Sequence, residues 1–275
     1  MEGIVNIPNI EDFGGGVGVA DNAAAFNAAV LAGDAFRFRD TVMSNGGTAE
    51  YRFATEPAPI NKPFAIYGAL PQVPGLTWIK RDYQPSDITR GLFHFTGVQG
   101  YAMDMFIHAT AGSGGTAITI RPTTVGAQYS INNCRITTGG GTWQHDILAD
   151  GGQITNPQGV RGLTIDNCML FGTNDATVKI FNGVHYNMIN SSINQAGGIR
   201  ADLQIDSIPG YPSTTGTIRL DYMTGNVILD HVQDTIIDVA MVGGSVMNTG
   251  NSSGIRGRGH VYGSIQNNWS NSSWA

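Results

Sequence analysis

One phrase of this chain recurs. Ile131-Asn132-Asn133-Cys134-Arg135-Ile136 comes back as Ile165-Asp166-Asn167-Cys168-Met169-Leu170. Looser copies follow at Ile189-Asn190-Ser191-Ser192-Ile193 and Ile265-Gln266-Asn267-Asn268-Trp269. Self-similarity of this kind marks a stack in which each copy is one coil. The leading isoleucines lie 34, 24 and 76 residues apart. With coils of about 22–25 residues, these are one coil plus an excursion, one coil, and roughly three coils. Stacking explains the residue types. Isoleucines above one another make an internal ladder of dispersion contacts. Asn, Ser and Cys at the corner bond to the neighbouring rung's backbone and satisfy the turn. Cys134 and Cys168 are then core residues, since neither has a Cys or His at metal-ligand spacing.

Composition agrees with a turn-rich β protein. Glycine supplies 38 of the 275 residues, and charged residues are only 13%, about half the usual ~25%. Hydrophobic residues at 41%, spread along the chain, argue against disorder. The net charge of −6 excludes the clustered basic surface that nucleic acid requires. The cluster Arg256, Arg258, His260 reads as a solvated turn. No apolar run is long enough for membrane insertion, and residues 1–3 do not open a secretory signal. Ala117-Ile118-Thr119-Ile120 alternates as a strand does, and residues 91–96 and 115–121 read as strands. An antiparallel sandwich would also explain alternation and glycine. It would not explain the recurring corner.

The N-terminal end carries a second signal. Ile10-Glu11-Asp12-Phe13-Gly14, read as a short strand, runs through Gly16, Gly18 and Asp21 into the Ala-rich segment 23–30. Phe26, Ala29 and Val30 share one helical face, and Asp21 or Asn22 can cap that helix. This arrangement resembles the entry to pectin-lyase-like right-handed parallel β-helices, where D-[FY]-G, a glycine-rich turn and acidic residues precede a capping helix. Asp12-Phe13-Gly14, Gly16, Gly18 and Asp21 match. The middle Asp and the Thr of that pattern are missing, and Asn22 replaces its last Asp. The resemblance implies an all-β chain: residues 1–35 as strand, turn and short N-terminal capping α-helix, and residues 36–275 as the β-helix body with a C-terminal cap or trimer-contact segment.

Among proteins with this entry, the chain is most similar to bacteriophage tailspikes and tail fibres. The missing export signal, the abundance of Asn, Ser, Thr and Gly, and Trp269 and Trp274 near the end support that choice. The resemblance implies a homotrimer in the virion tail, held to the tail or an adaptor protein through the N-terminus, that binds host surface polysaccharide during adsorption. Cleavage of the glycan, a soluble polysaccharide lyase or glycoside hydrolase, and a structural decoration protein remain as alternatives.

Candidate site residues sit where the period breaks. Trp143 offers a sugar-stacking face, or covers an edge, with His145 and Asp146 as polar contacts. Tyr211 and Tyr222 are further glycan contacts. Asp202, Asp206 and Asp221 are candidate catalytic carboxylates, because glycoside hydrolysis needs two, although solvated loop carboxylates are the simpler reading. Asp230, Asp234 and Asp238 form a second acidic set. A lyase would have to use Arg200 with Arg219, or the 256–260 cluster. No block of converging carboxylates suggests Ca²⁺, no H-x-x-x-H pair or nucleophile elbow is present, and no cofactor or metal is expected.

Overall fold

The computed structural model describes residues 7–39, 50–68, 77–152, 160–171, 175–194, 201–266 and 272–275. They form a right-handed parallel β-helix. Every strand ladder among them is parallel, and the single antiparallel bridge, Ile208 to Tyr211, closes a turn. This excludes the sandwich. Each coil visits three faces in order. The first face is a seven-stranded sheet that includes Thr116–Ile120, His145–Asp150, Ala176–Phe181 and Ala201–Asp206. The second includes Gln99–Met103, Ala127–Asn132 and Val160–Asp166, and the third Met105–Ala111 and Arg135–Thr138. The strand Gly183–Ile193 runs along both of these faces.

The corner between the second and third faces is what the repeated phrase encodes. Asn133, Asn167 and Asn190 all adopt left-handed backbone, with φ of 49°, 52° and 49°. Asn tolerates that region better than other side-chain-bearing residues. Side chains run along the stack: Asn133 Nδ2 donates to Asp104 Oδ1 (2.7 Å), and Asn167 Nδ2 donates to Asn133 Oδ1 (3.3 Å). Cys134 and Cys168 are buried beside it, and the Cys168 amide donates to Ser191 Oγ of the next rung.

Asn, not Ile, is the true anchor of the third copy. The internal ladder runs Ala102, Ile131, Ile165, Met188, Ile218, Ile237. Ile189 pairs with Asp166 instead, because aligning on isoleucine slips the strand by one residue and reverses the faces. Ile265 bridges Val246 of the first face and is not in this ladder; the rest of its phrase lies outside the described residues. The 256–260 cluster is a strand, Arg256–Val261, where Arg258 pairs with Asp238.

At the N-terminal end, Ile10–Phe13 is a 3₁₀ turn instead of a strand, because Asn9 and Asp12 form a capping box. Gly14 ends it with φ of 85°. The helix Ala23–Ala32 follows. Asp21 Oδ1 accepts from the Ala23 amide and from Ala54 N just after the strand Glu50–Phe53 (both 3.0 Å), while Asn22 turns back to Gly16. Phe26 seats the helix on the core, packed against Phe36, Phe53 and Phe93. Trp274 is half-buried, covers Gly257 and donates to the Gly259 carbonyl. It therefore packs within its own chain. Trp269 lies outside the described residues.

Candidate functional site

The outer side of the first face gathers most of the chemistry. In a parallel stack, equivalent residues of successive rungs lie about 4.8 Å apart. One outward row reads Thr119, Leu148, Lys179, Gln204. The next brings Asp150, Phe181 and Asp206 into line, with Arg121 joined to its front end through Asp150. A cleft of about 430 Å³ opens here, lined by Arg121, His145, Leu148, Asp150, Lys179 and Phe181 among others.

Its charges are paired. Arg121 Nε and Nη2 donate to Asp150 Oδ2 at 3.0 and 2.8 Å. Lys179 Nζ is 3.5 Å from Asp206 Oδ2, which also accepts from Gln204 Nε2 at 2.7 Å. Burial raises the Asp206 carboxyl, helped by the charge of Asp230. Asp230 is the next residue in this row, since its amide donates to the Ile205 carbonyl. Its Oδ1 meets His231 Nδ1 at 2.5 Å. Gln204 Oε1 is buried without a partner.

Two histidines border the cleft as neutral rings. His145 Nδ1 donates to the Ala176 carbonyl at 2.7 Å, which leaves Nε2 as a lone-pair acceptor. Burial lowers its pKa. His94 is buried, with no partner on either nitrogen. Burial, then Arg90 and Arg121, push it down to about 4.

Of the residues singled out in the sequence, His145 and Asp206 lie on this face. Trp143 does not serve as a sugar platform. It is fully buried, its Nε1 donates to the Thr137 carbonyl at 2.8 Å, and the Arg81 guanidinium sits 4.1 Å over its ring. Arg81 in turn donates through Nη1 and Nη2 to backbone carbonyls, including Gly114 and Thr142. The pair pins the turn that leads into His145–Asp150.

Asp146 and Asp202 are not available to a ligand either. Both are fully buried, at equivalent corner positions two rungs apart with Thr177 between them. Asp202 Oδ2 accepts from the Gly225 amide at 2.6 Å and from Thr224 Oγ1 at 3.3 Å. It caps the next rung's turn, and burial raises it to about 6. Asp146 is raised well above the usual range for the same reason. These carboxylates stand in strands, not solvated loops.

Asp221 is exposed, and Tyr222 pairs with Ser192 on the third face. Neither joins Asp206. Tyr211 is 41% exposed, in a turn whose Pro209, Gly210 and Pro212 line a second cleft of about 460 Å³ together with His231. Arg200 lies outside the described residues. Among those described, no group of three or more His, Cys, Asp or Glu is arranged to hold a metal ion, and no helix is long and apolar enough to cross a membrane.

Sequence reasoning named Asp230 only within another acidic set, and it missed Arg121, Asp150, Lys179 and Phe181. Their common signal is alternation within 116–121, 145–150, 176–181 and 201–206. It becomes a row only when the rungs are in register.

No protein-family model matches the chain, and no curated protein is significantly similar to it. Solved structures share the fold. The Agl-KA catalytic domain superposes with a TM-score of 0.54 at 15% identity, covering 100% of this chain and 48% of that one. PfbA, a surface adhesin of Streptococcus pneumoniae, gives 0.51 at 11% identity, covering 94% and 79%. Tailspike protein 3 of bacteriophage CBA120 superposes loosely, with a TM-score of 0.31 at 14% identity over 97% and 61%. At these identities the likeness to the Agl-KA catalytic domain and to PfbA is one of fold alone.

Proposed function

We propose that this chain is a carbohydrate-binding β-helix protein, and that its glycan lies along the outer side of the first face. The observation that carries the reading is the cleft. Phe181, half-buried at the cleft wall, supplies apolar surface for a sugar ring, flanked by the Arg121–Asp150 and Lys179–Asp206 pairs that orient hydroxyls. Such a mixture on rigid strands suits a ligand with apolar faces and polar rims. Among proteins with this N-terminal entry, the abundance of Asn, Ser, Thr and Gly favours a bacteriophage tail spike or fibre, located in the virion tail, trimeric, joined to the tail or an adaptor through its N-terminus, and reading host surface polysaccharide.

Binding of surface polysaccharide fragments, followed by calorimetry, tests this. Phe181→Ala should weaken binding about tenfold or more. Tyr262→Ala, at a 66% exposed position elsewhere, should leave it unchanged. Equal affinity of both variants and the parent would remove the cleft from consideration. Light scattering of the purified chain checks the trimer.

A depolymerase is the second reading, favoured by one observation. Asp206 and Asp230 occupy neighbouring rungs of one row, close enough for the Asp230 charge to raise Asp206, and glycoside hydrolysis needs two carboxyl groups. Burial raises the Asp206 carboxyl above the usual carboxylate range. New reducing ends that vanish in Asp206→Asn and Asp230→Asn would establish cleavage. Binding without new ends leaves recognition alone.

A further inference from the structure

The charge pattern of the cleft points beyond glycans in general to one class of them. Three cations face or border it, and each is already engaged by a carboxylate. Arg90 Nε lies 2.9 Å from Glu56, Arg121 is held by Asp150 at 2.8 Å, and Lys179 by Asp206 at 3.5 Å. Further negative charge surrounds them. Asp175 approaches His145 Nε2 at 4.0 Å, Asp230 follows Asp206 in its row, and Asp87 stands near His94. The two histidines add no compensating charge near neutral pH, because burial keeps them neutral. Among the described residues, carboxylates on this face therefore outnumber cations.

A uronate, sialate or phosphate brought here would meet like charge, and no unengaged cation among the described residues would receive it. A neutral sugar meets no such penalty. Its hydroxyls can donate to the half-buried Asp150 and Asp206, and carboxylate acceptors make the stronger hydrogen bonds. Its C–H faces can lie on the half-buried Phe181. We infer that the ligand of this cleft is a neutral glycan of hexose, deoxyhexose or N-acetylhexosamine units, and that the Asp150 and Asp206 carboxylates exclude acidic polysaccharides by masking Arg121 and Lys179.

This rests on the glycan-binding reading, and the test separates the two. The full chain is titrated with neutral oligosaccharides and with uronate- or sialate-bearing ones, at low and high salt. Neutral ligands should bind with little salt dependence, and acidic ones should bind at least about tenfold more weakly. Binding of acidic ligands that fades with salt overturns the inference and leaves the glycan reading standing. Binding of neither class overturns both. The double variant Asp150→Asn, Asp206→Asn supplies a gain-of-function check. Amides keep the oxygen that accepts from Gly152 N but release both cations, so affinity for the acidic ligands should rise about tenfold. No rise in a variant that retains the parent's thermal transition also overturns the inference.

Discussion

At the scale of single residues, burial separates supporting groups from exposed ones, and each assignment has a consequence. Asp202 is a buried carboxylate raised to about 6 from 3.8. Between those values the folded chain holds more protons than the unfolded chain, so this group makes stability fall as pH rises through that window. Asp202→Asn keeps an acceptor for Gly225 and removes the charge. Above pH 6 the variant should be more stable than the parent by on the order of 2 kcal/mol. The two should converge below about pH 4, which denaturant titrations at several pH values will show. A constant difference across the range would mean that the carboxylate is not penalised by burial. Trp143 makes the opposite case. Trp143→Ala opens a cavity and uncovers Arg81, and should cost about 3–5 kcal/mol, read as a lowered urea midpoint. The isolated sequence shows Trp143, His145 and Asp146 as three neighbours with binding chemistry. Only His145 reaches the cleft, because Asp146 next to it in the strand turns to the other side and Trp143 is buried under Arg81 in the preceding turn.

At the scale of the coil, the corner decides how one rung hands over to the next. Asn167 holds φ of 52° and bonds to Asn133. Asn167→Gly removes the hydrogen bond but accepts the backbone. Asn167→Val meets a left-handed conformation that β-branched residues resist, and should lose about 1–3 kcal/mol. Chemical denaturation should rank the parent above Gly and Gly above Val. If Val is the better tolerated, the corner is not left-handed in solution. This corner was legible in the sequence, since Asn, Cys and Ser recur in it. Its register was less so. Three copies carry an Ile one or two residues before the corner Asn, and the third can be aligned on either residue, yet only alignment on Asn puts Met188 in the core ladder. The spacing from Ile165 to Ile189 looked like one coil and was one residue too long.

At the scale of the whole molecule, a parallel β-helix must deal with its open ends, where unpaired strands invite association. The helix Ala23–Ala32 covers the first of them through Phe26. Phe26→Asp should undock this lid, and light scattering should show concentration-dependent aggregation. Leu31→Asp on the same helix, where the side chain is 84% exposed, should leave the chain dispersed. Aggregation of both, or of neither, would deny the helix its capping role.

The sequence by itself determined the architecture: stacked coils, an Asn corner, a capping helix and two core cysteines. Those features repeat along the chain or depend on near neighbours, so local chemistry records them. The tertiary structure alone decided the site. Arg121, Asp150, Phe181, Lys179, Asp206 and Asp230 come from five separate rungs. They meet because intervening excursions of unequal length return each strand to one register, and that registration depends on the whole core packing at once.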